Sequence, residues 1–402
     1  MYASGIFAGR LIVALLLLIA AHFMYQIFVN PDTYQWDFKM YYYAARVDAS
    51  GGNPYNPNEL HRLAGGGLLL RYVYPPPILT FFKLFAAMPY PVAYHLWLAF
   101  KLLLLGGLLI LWRRFFFPAE SLVPYATFLL LAFSTAIYID LVTGNISILE
   151  QFLLWLGFVF LLREKPRGFC MLVLLGSCFK VFPIAFLLLL PLLGVKHSWR
   201  YVFASAAVFA GVFALSYFLD PAGYERFFAA ATAIDERGAM GNISLLACVK
   251  DVSDLVFNPQ FLGGRLPYVI YVVAVAAIIF LSLKRMHALR RMAPDDAGLL
   301  ILFLFCVAFA LVMPRFKTYS CILLLAPGYW VVKRSSNMPA FVFLLALFVL
   351  DVQRPSPVKL PLAPLLSMFW TYYPLFLAFL VWGMLLYHSR EPSASATAQV
   401  AT

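Results

Sequence analysis

Charge is what this sequence has least of. Only 12% of its 402 residues are Asp, Glu, Lys or Arg, about half the share found in ordinary soluble domains. With 63% of the residues hydrophobic, that scarcity excludes a soluble globular fold, whose surface needs far more polar cover. Cysteine is sparse too. The five, Cys170, Cys178, Cys248, Cys306 and Cys321, fall at spacings that exclude a disulfide framework and a cysteine-ligated metal site. Basic residues outnumber acidic ones by 30 to 18, yet they sit in short clusters between apolar runs instead of forming a stripe on one domain. Nucleic acid is therefore excluded as a partner. No internal repeat is visible of the kind that marks many secondary transporters.

What the chain has in abundance is apolar runs, which recur from Gly9 to Tyr387. Each is near the roughly 20 residues that a helix needs to cross a bilayer core. The pattern predicts an all-α polytopic membrane protein with about 12 transmembrane segments, in which membrane lipid is the solvent. The first run is long and lacks a small-residue cleavage site, so it reads as a retained helix and not a signal peptide. Clusters at Arg113 and Arg114, Arg163 to Arg167, Lys196 and Arg200, Lys284 to Arg291, and Lys333 and Arg334 follow apolar runs. The positive-inside bias places them in the cytoplasm, along with both termini. A bacterial inner membrane is the expected location.

Residues 1–388 read as one integral membrane domain with two long outer loops, at about 30–90 and 220–267. Spans are expected near 9–29, 91–112, 122–142, 146–162, 201–219, 268–283, 297–313, 317–332, 338–351 and 366–388. Residues 168–194 are divided by CFKVFP into two short helices, since Pro183 breaks a helix and Lys180 lies at membrane depth. The run PPPILTFFKLFAAMPYP is too short to span and carries Lys83, which suits an interfacial helix. Residues 389–402, rich in Ser, Ala and Thr, are expected to be a disordered cytoplasmic tail.

The segment QWDFKMYYYAARVDASGGNPYNP places Asp37 just beyond the first span, among Trp36, Phe38, Tyr41, Tyr42 and Tyr43. A carboxylate there can meet a substrate whose lipid stays in the bilayer while its head group projects outward. The alternative is a solvated acid beside an aromatic belt. Further on come Gly52-Asn53-Pro54-Tyr55, Tyr74-Pro75-Pro76-Pro77, Gly144-Asn145, Lys180-Val181-Phe182-Pro183 and Gly241-Asn242-Ile243-Ser244-Leu245. In this order, over about residues 35–330, the motifs resemble glycosyltransferase family 87, the polyprenol-phosphate-mannose-dependent group of the GT-C superfamily.

The resemblance implies a GT-C fold and transfer of a hexose, mannose above all, from a polyprenyl-phosphate donor to a lipid or glycan acceptor, with inversion at the anomeric carbon. It also aligns Asp37 with the family's general base. Single displacement needs such a group, because the acceptor hydroxyl must lose its proton as the oxocarbenium-like sugar leaves the lipid phosphate. No strict Asp-x-Asp occurs near Asp32, Asp37 and Asp48. No cofactor is therefore expected, and the metal requirement stays open.

Donor phosphate needs cationic or amide donors. Arg315 and Lys317 in MPRFKTYS are the favoured candidates, with snorkelling of both side chains to lipid head groups as the lesser alternative. Lys180 has two readings, donor-phosphate binding or pairing with a buried acid such as Glu150. Asn145 and Asn242 each open Asn-Ile-Ser and read as turn or helix-capping residues, with substrate contact as the functional alternative. Tyr41 and Tyr74 join them as candidate substrate contacts. His95 and Lys101 read as interface residues. Two rival classes share the composition: a transporter or lipid flippase, and a different lipid-linked glycan ligase or polymerase.

Overall fold

The computed structural model describes residues 2–65, 71–118, 120–233, 235, 237–256, 264–292, 296–335, 337–349 and 363–388. The expected tail, 389–402, lies outside them. Among the described residues the regular structure is helical, with one isolated β-bridge. The chain divides into two units. One takes the described residues within 1–123, 137–190 and 197–235; the other takes those within 124–136, 191–196 and 236–402.

The first unit begins with α1 (Tyr2–Val29), α2 (Trp36–Ala49), α3 (Pro57–Leu63), α4 (Pro77–Ala86) and α5 (Tyr90–Phe115). Helix α6 (Leu122–Thr143) passes into the second unit at Pro124 and returns to the first at Ile137, just after a break at Ala132–Thr135, where φ turns positive at Phe133, Ser134 and Thr135. Then follow α7 (Ser147–Leu162), α8 (Pro166–Phe179), a 3-10 turn (Phe182–Leu188) running into α9 (Leu189–Leu192), α10 (Ser198–Leu219) and α11 (Pro221–Thr232). The second unit holds α12 (Leu245–Val256), α13 (Leu266–Met292), α14 (Ala297–Val312), α15 (Ile322–Lys333), α16 (Met338–Val349), α17 (Ala363–Thr371) and α18 (Tyr373–His388).

Proline opens several of these helices, at Pro57, Pro77, Pro166 and Pro221. Its missing N–H costs nothing in the first turn and its φ is already helical. The Asp220 carboxylate caps α11 by accepting from the Gly223 N–H at 2.8 Å.

Four helices, α5, α6, α10 and α13, are long and apolar enough to cross a membrane; counting α17 and α18, bent by 62°, as one span makes five. Helix α10 buries only Ser205 and exposes Phe203, Val208, Leu215 and Phe218. Water would not tolerate so continuous an apolar face, whereas lipid does. The other apolar helices are shorter. Helix α7, at 16 residues, is about 24 Å long against a hydrocarbon core of about 30 Å.

The structure differs from the sequence reading in the first outer loop, which is largely helical. Helix α2 turns Phe38, Tyr41, Tyr42 and Ala45 inward at three- and four-residue spacing, and the Phe38 ring stacks on Trp97 with centroids 5.4 Å apart. The second outer loop likewise contains α11 and α12. The break at CFKVFP is present: α8 ends at Phe179, Lys180 is extended, and helical structure resumes at Phe182.

Candidate active site

Two chain segments build the site in the first unit. One is the first turn of α2. Gln35 precedes it in a left-handed conformation (φ 56°) and donates its N–H to the Val142 carbonyl at 2.6 Å, which ties the helix start to the end of α6. Two residues later Asp37 emerges half-buried, at the helix terminus that favours negative charge.

The other segment is the turn Gly144-Asn145 between α6 and α7. Gly144 takes φ 71° and donates its N–H to Asp140 O at 3.0 Å, closing α6. A Cβ on Gly144 would come within 2.7 Å of Gln35 Cβ and 3.0 Å of Gln35 Cα and Phe38 Cβ. Glycine is thus required twice here, by the dihedral and by the close approach of α2. The indole Nε1 of Trp97 donates to Gly144 O at 2.9 Å.

This turn carries Asn145, whose side chain is fully buried. Its Oδ1 accepts from the N–H of Ser147 at 3.1 Å and from the Ser147 hydroxyl at 2.9 Å. A backbone N–H can only donate, so this contact settles which end of the amide is oxygen. Nδ2 then faces three oxygens: Asp37 Oδ2 at 2.7 Å, Tyr41 Oη at 3.0 Å and Tyr74 Oη at 3.3 Å. Tyr41 donates to Tyr74 at 2.8 Å. With two hydrogens to share, the amide serves the charged and shortest partner first.

On the far side of Asn145 the Ser147 hydroxyl accepts from Lys180 Nζ at 2.7 Å, and that ammonium lies 2.8 Å from Glu150 Oε2. Of the two readings of Lys180, pairing with Glu150 is what the structure contains. A polar chain therefore runs Asp37, Asn145, Ser147, Lys180, Glu150. Tyr74 closes its other edge, where the Tyr55 hydroxyl donates to the Tyr74 carbonyl at 3.0 Å. Burial raises the Tyr55 and Tyr72 phenols well above the ordinary tyrosine range, so both stay protonated at neutral pH.

The second unit has its own cluster. Asn242 and Lys317 form the isolated antiparallel bridge. Asn242 Oδ1 accepts from the N–H groups of Phe316 at 3.0 Å and Ser244 at 3.3 Å, and the Ser244 hydroxyl donates to Pro314 O at 2.8 Å. Lys317 Nζ donates to the Met240 carbonyl at 2.7 Å. Asn242 and Lys317 thus join the GNIS and PRFK segments, while Arg315 is exposed at the corner.

Sequence reasoning missed Ser147 and misplaced Lys101. The latter is buried, 1% exposed, because Asp140 on α6 lies 2.6 Å away to neutralise it. Its signal was present as a second acid at membrane depth one helix further on. His95, by contrast, holds helix ends together, with Nδ1 2.7 Å from Pro91 O and Nε2 3.1 Å from Phe28 O. Asp48 pairs with Lys83 at 2.8 Å and Asp32 is exposed. Among the described residues no group of three or more His, Cys, Asp or Glu side chains is placed to hold a metal ion.

The family model of glycosyltransferase family 87 matches residues 72–314, more than half of the 402. The match includes Tyr74, Asn145, Lys180 and Asn242; Asp37 and Tyr41 precede it, and Arg315 and Lys317 follow it. No curated protein and no solved structure matches the chain.

Proposed function

The chain belongs to glycosyltransferase family 87, and from that premise we propose that it transfers a hexose, mannose first among the candidates, from a polyprenyl-phosphate donor to a lipid or glycan acceptor on the non-cytoplasmic face of a bacterial inner membrane. The proposal includes a GT-C architecture of about 12 membrane segments, of which the long helices and the shorter apolar ones would be the parts.

Asp37 is the general base. Its carboxylate takes the proton of the acceptor hydroxyl as that oxygen attacks the anomeric carbon from the face opposite the phosphate. The bond between the anomeric carbon and the phosphate oxygen breaks, and its electron pair leaves with the polyprenyl phosphate. One displacement inverts the anomeric centre. The observation that carries this reading is the 2.7 Å bond from the buried Asn145 amide to Asp37 Oδ2, which orients a half-exposed carboxylate at a helix N-terminus. Tyr41 and Tyr74 share that amide and would meet the substrate's hydroxyls. Lys180 supplies positive charge at the other end of the polar chain for the developing phosphate. Arg315 is a second candidate phosphate contact on its charge and exposure. Asn242 and Lys317, by their backbone partners, hold the corner that presents it.

The test is transfer from labelled polyprenyl-phosphate mannose to the lipids of native membranes. Asp37→Asn is expected to lower turnover about 100- to 10,000-fold, the usual worth of general base catalysis, with membrane insertion and expression unchanged. Wild-type turnover in that variant would remove Asp37 from the mechanism. Movement of the donor lipid across the membrane with no sugar transferred would indicate a flippase instead.

A further inference from the structure

Beneath the active site lies an ion pair that the proposed chemistry does not use. Lys101 Nζ on α5 is 2.6 Å from Asp140 Oδ1 on α6, with side-chain exposures of 1% and 0%. Charges inside a membrane protein are expensive. Apolar side chains of similar volume can often replace a buried ion pair without loss of stability, so a buried pair is weak evidence of a stabilising role. What distinguishes the pair is a second bond. Lys101 Nζ also donates to the Asp140 backbone carbonyl at 2.5 Å.

That carbonyl is a point of convergence. It accepts in addition from Thr143 Oγ1 at 3.1 Å and from Gly144 N–H at 3.0 Å. Thr143 Oγ1 in turn accepts from the N–H of Asn145 at 3.3 Å. One helical turn before Lys101 on the same face of α5, Trp97 Nε1 holds Gly144 O. Helix α5 thus grips the chain at Asp140 and again at Gly144, and the next residue is the asparagine whose amide orients Asp37.

We propose that Lys101, with Asp140 as its counter-charge, is a positioning residue for transfer. By fixing the Asp140 carbonyl it sets the Gly144-Asn145 turn, and through Asn145 the direction of the Asp37 carboxylate. The inference rests on the reading of Asp37 as base. Lys101 touches neither substrate nor the reacting atoms, and acts through the turn. Displacement of a catalytic group by about 1 Å can cost about 100-fold in rate. The loss should fall chiefly on turnover, because the shortest bond Asn145 makes is to the base, whereas Lys180 keeps its own partner in Glu150 and Tyr41 and Tyr74 keep their mutual bond.

The experiment compares two neutral pairs made in the full chain. Lys101→Met with Asp140→Leu removes the charges and the donor to the carbonyl. Lys101→Gln with Asp140→Asn removes the charges and keeps an amide donor on α5. Each is assayed with labelled polyprenyl-phosphate mannose and native membranes, turnover being normalised to folded protein measured by thermal unfolding in detergent. The Met/Leu pair is expected to lose about 100-fold in kcat with donor KM within about threefold of wild type. The Gln/Asn pair should recover at least tenfold of that loss. Equal kcat for the two pairs, or a loss confined to KM, would overturn the proposal.

Should the Met/Leu pair fail to fold, Trp97→Phe removes the indole bond to Gly144 while keeping an aromatic ring against Phe38, and Phe38→Leu, which loosens the same stack but leaves the indole bond in place, is its packing control. Trp97→Phe is expected to lower kcat by about tenfold at constant KM, and unchanged kcat would again overturn the proposal. Asp37→Asn is run alongside. If it is fully active, the base assignment has failed; if it is inactive while both pairs turn over normally, only the positioning role has failed.

Discussion

Replacing Gly144 by alanine separates the two demands that the Gly144-Asn145 turn makes on its glycine. The left-handed conformation at φ 71° costs a residue with a Cβ about 1–2 kcal/mol. The new methyl would also lie 2.7 Å from Gln35 Cβ and 3.0 Å from Gln35 Cα. Because one of those atoms is backbone, α2 itself must move, and forced overpacking of this kind typically costs about 1–3 kcal/mol. The expected total is about 2–5 kcal/mol. Gly51 provides the control, since it takes φ 78° with nothing within 4 Å of its would-be Cβ. Gly51→Ala should therefore lose only the dihedral cost, about 1–2 kcal/mol, and keep its activity. Both variants are measured by thermal unfolding in detergent and by sugar transfer in membranes. A shift of α2 against the turn lengthens the bond from Asn145 to Asp37, so Gly144→Ala should also lose about 100-fold in turnover. If the two alanine variants match in stability and in rate, the close approach of α2 to the turn does not govern the site.

Three further outcomes follow from the same contacts. Lys180→Met leaves Glu150 at 9% side-chain exposure without its partner and is expected to destabilise by about 3–5 kcal/mol; adding Glu150→Gln should return most of it in a denaturation series. Asn242→Ala orphans the Phe316 and Ser244 N–H groups, each worth about 1–3 kcal/mol when buried, and limited proteolysis should show earlier cleavage in the PRFK segment. Arg315→Ala should raise donor KM and change stability by less than about 1 kcal/mol, since contacts of an exposed charge contribute little; an unaltered KM would remove it as a phosphate contact.

The site was legible in part. Asp37 stood out because an acid beside a membrane span and among aromatics is conspicuous, and Asn145 and Lys180 stood out as a turn amide and a charge at membrane depth. Pairing of Lys180 with Glu150 was one of two readings, and both residues were already in view. Helix α2 was not, because three successive tyrosines obscure an inward face that only the packing of Phe38 on Trp97 and Tyr41 on Phe82 reveals. Lys101 was passed over because nothing local distinguishes a lysine that snorkels from one that is buried.

Composition and pattern alone determined that this chain lives in a membrane as helices, because hydrophobic length and charge scarcity are one-dimensional quantities that need no partner to be read. The order of its motifs likewise identified the family. Only tertiary structure decided that residues 37, 145, 147, 180 and 150 form one hydrogen-bonded chain, and that residues 101 and 140 lie beneath it. Directional bonds between segments from 33 to 108 residues apart depend on how helices pack, and no single segment carries that information.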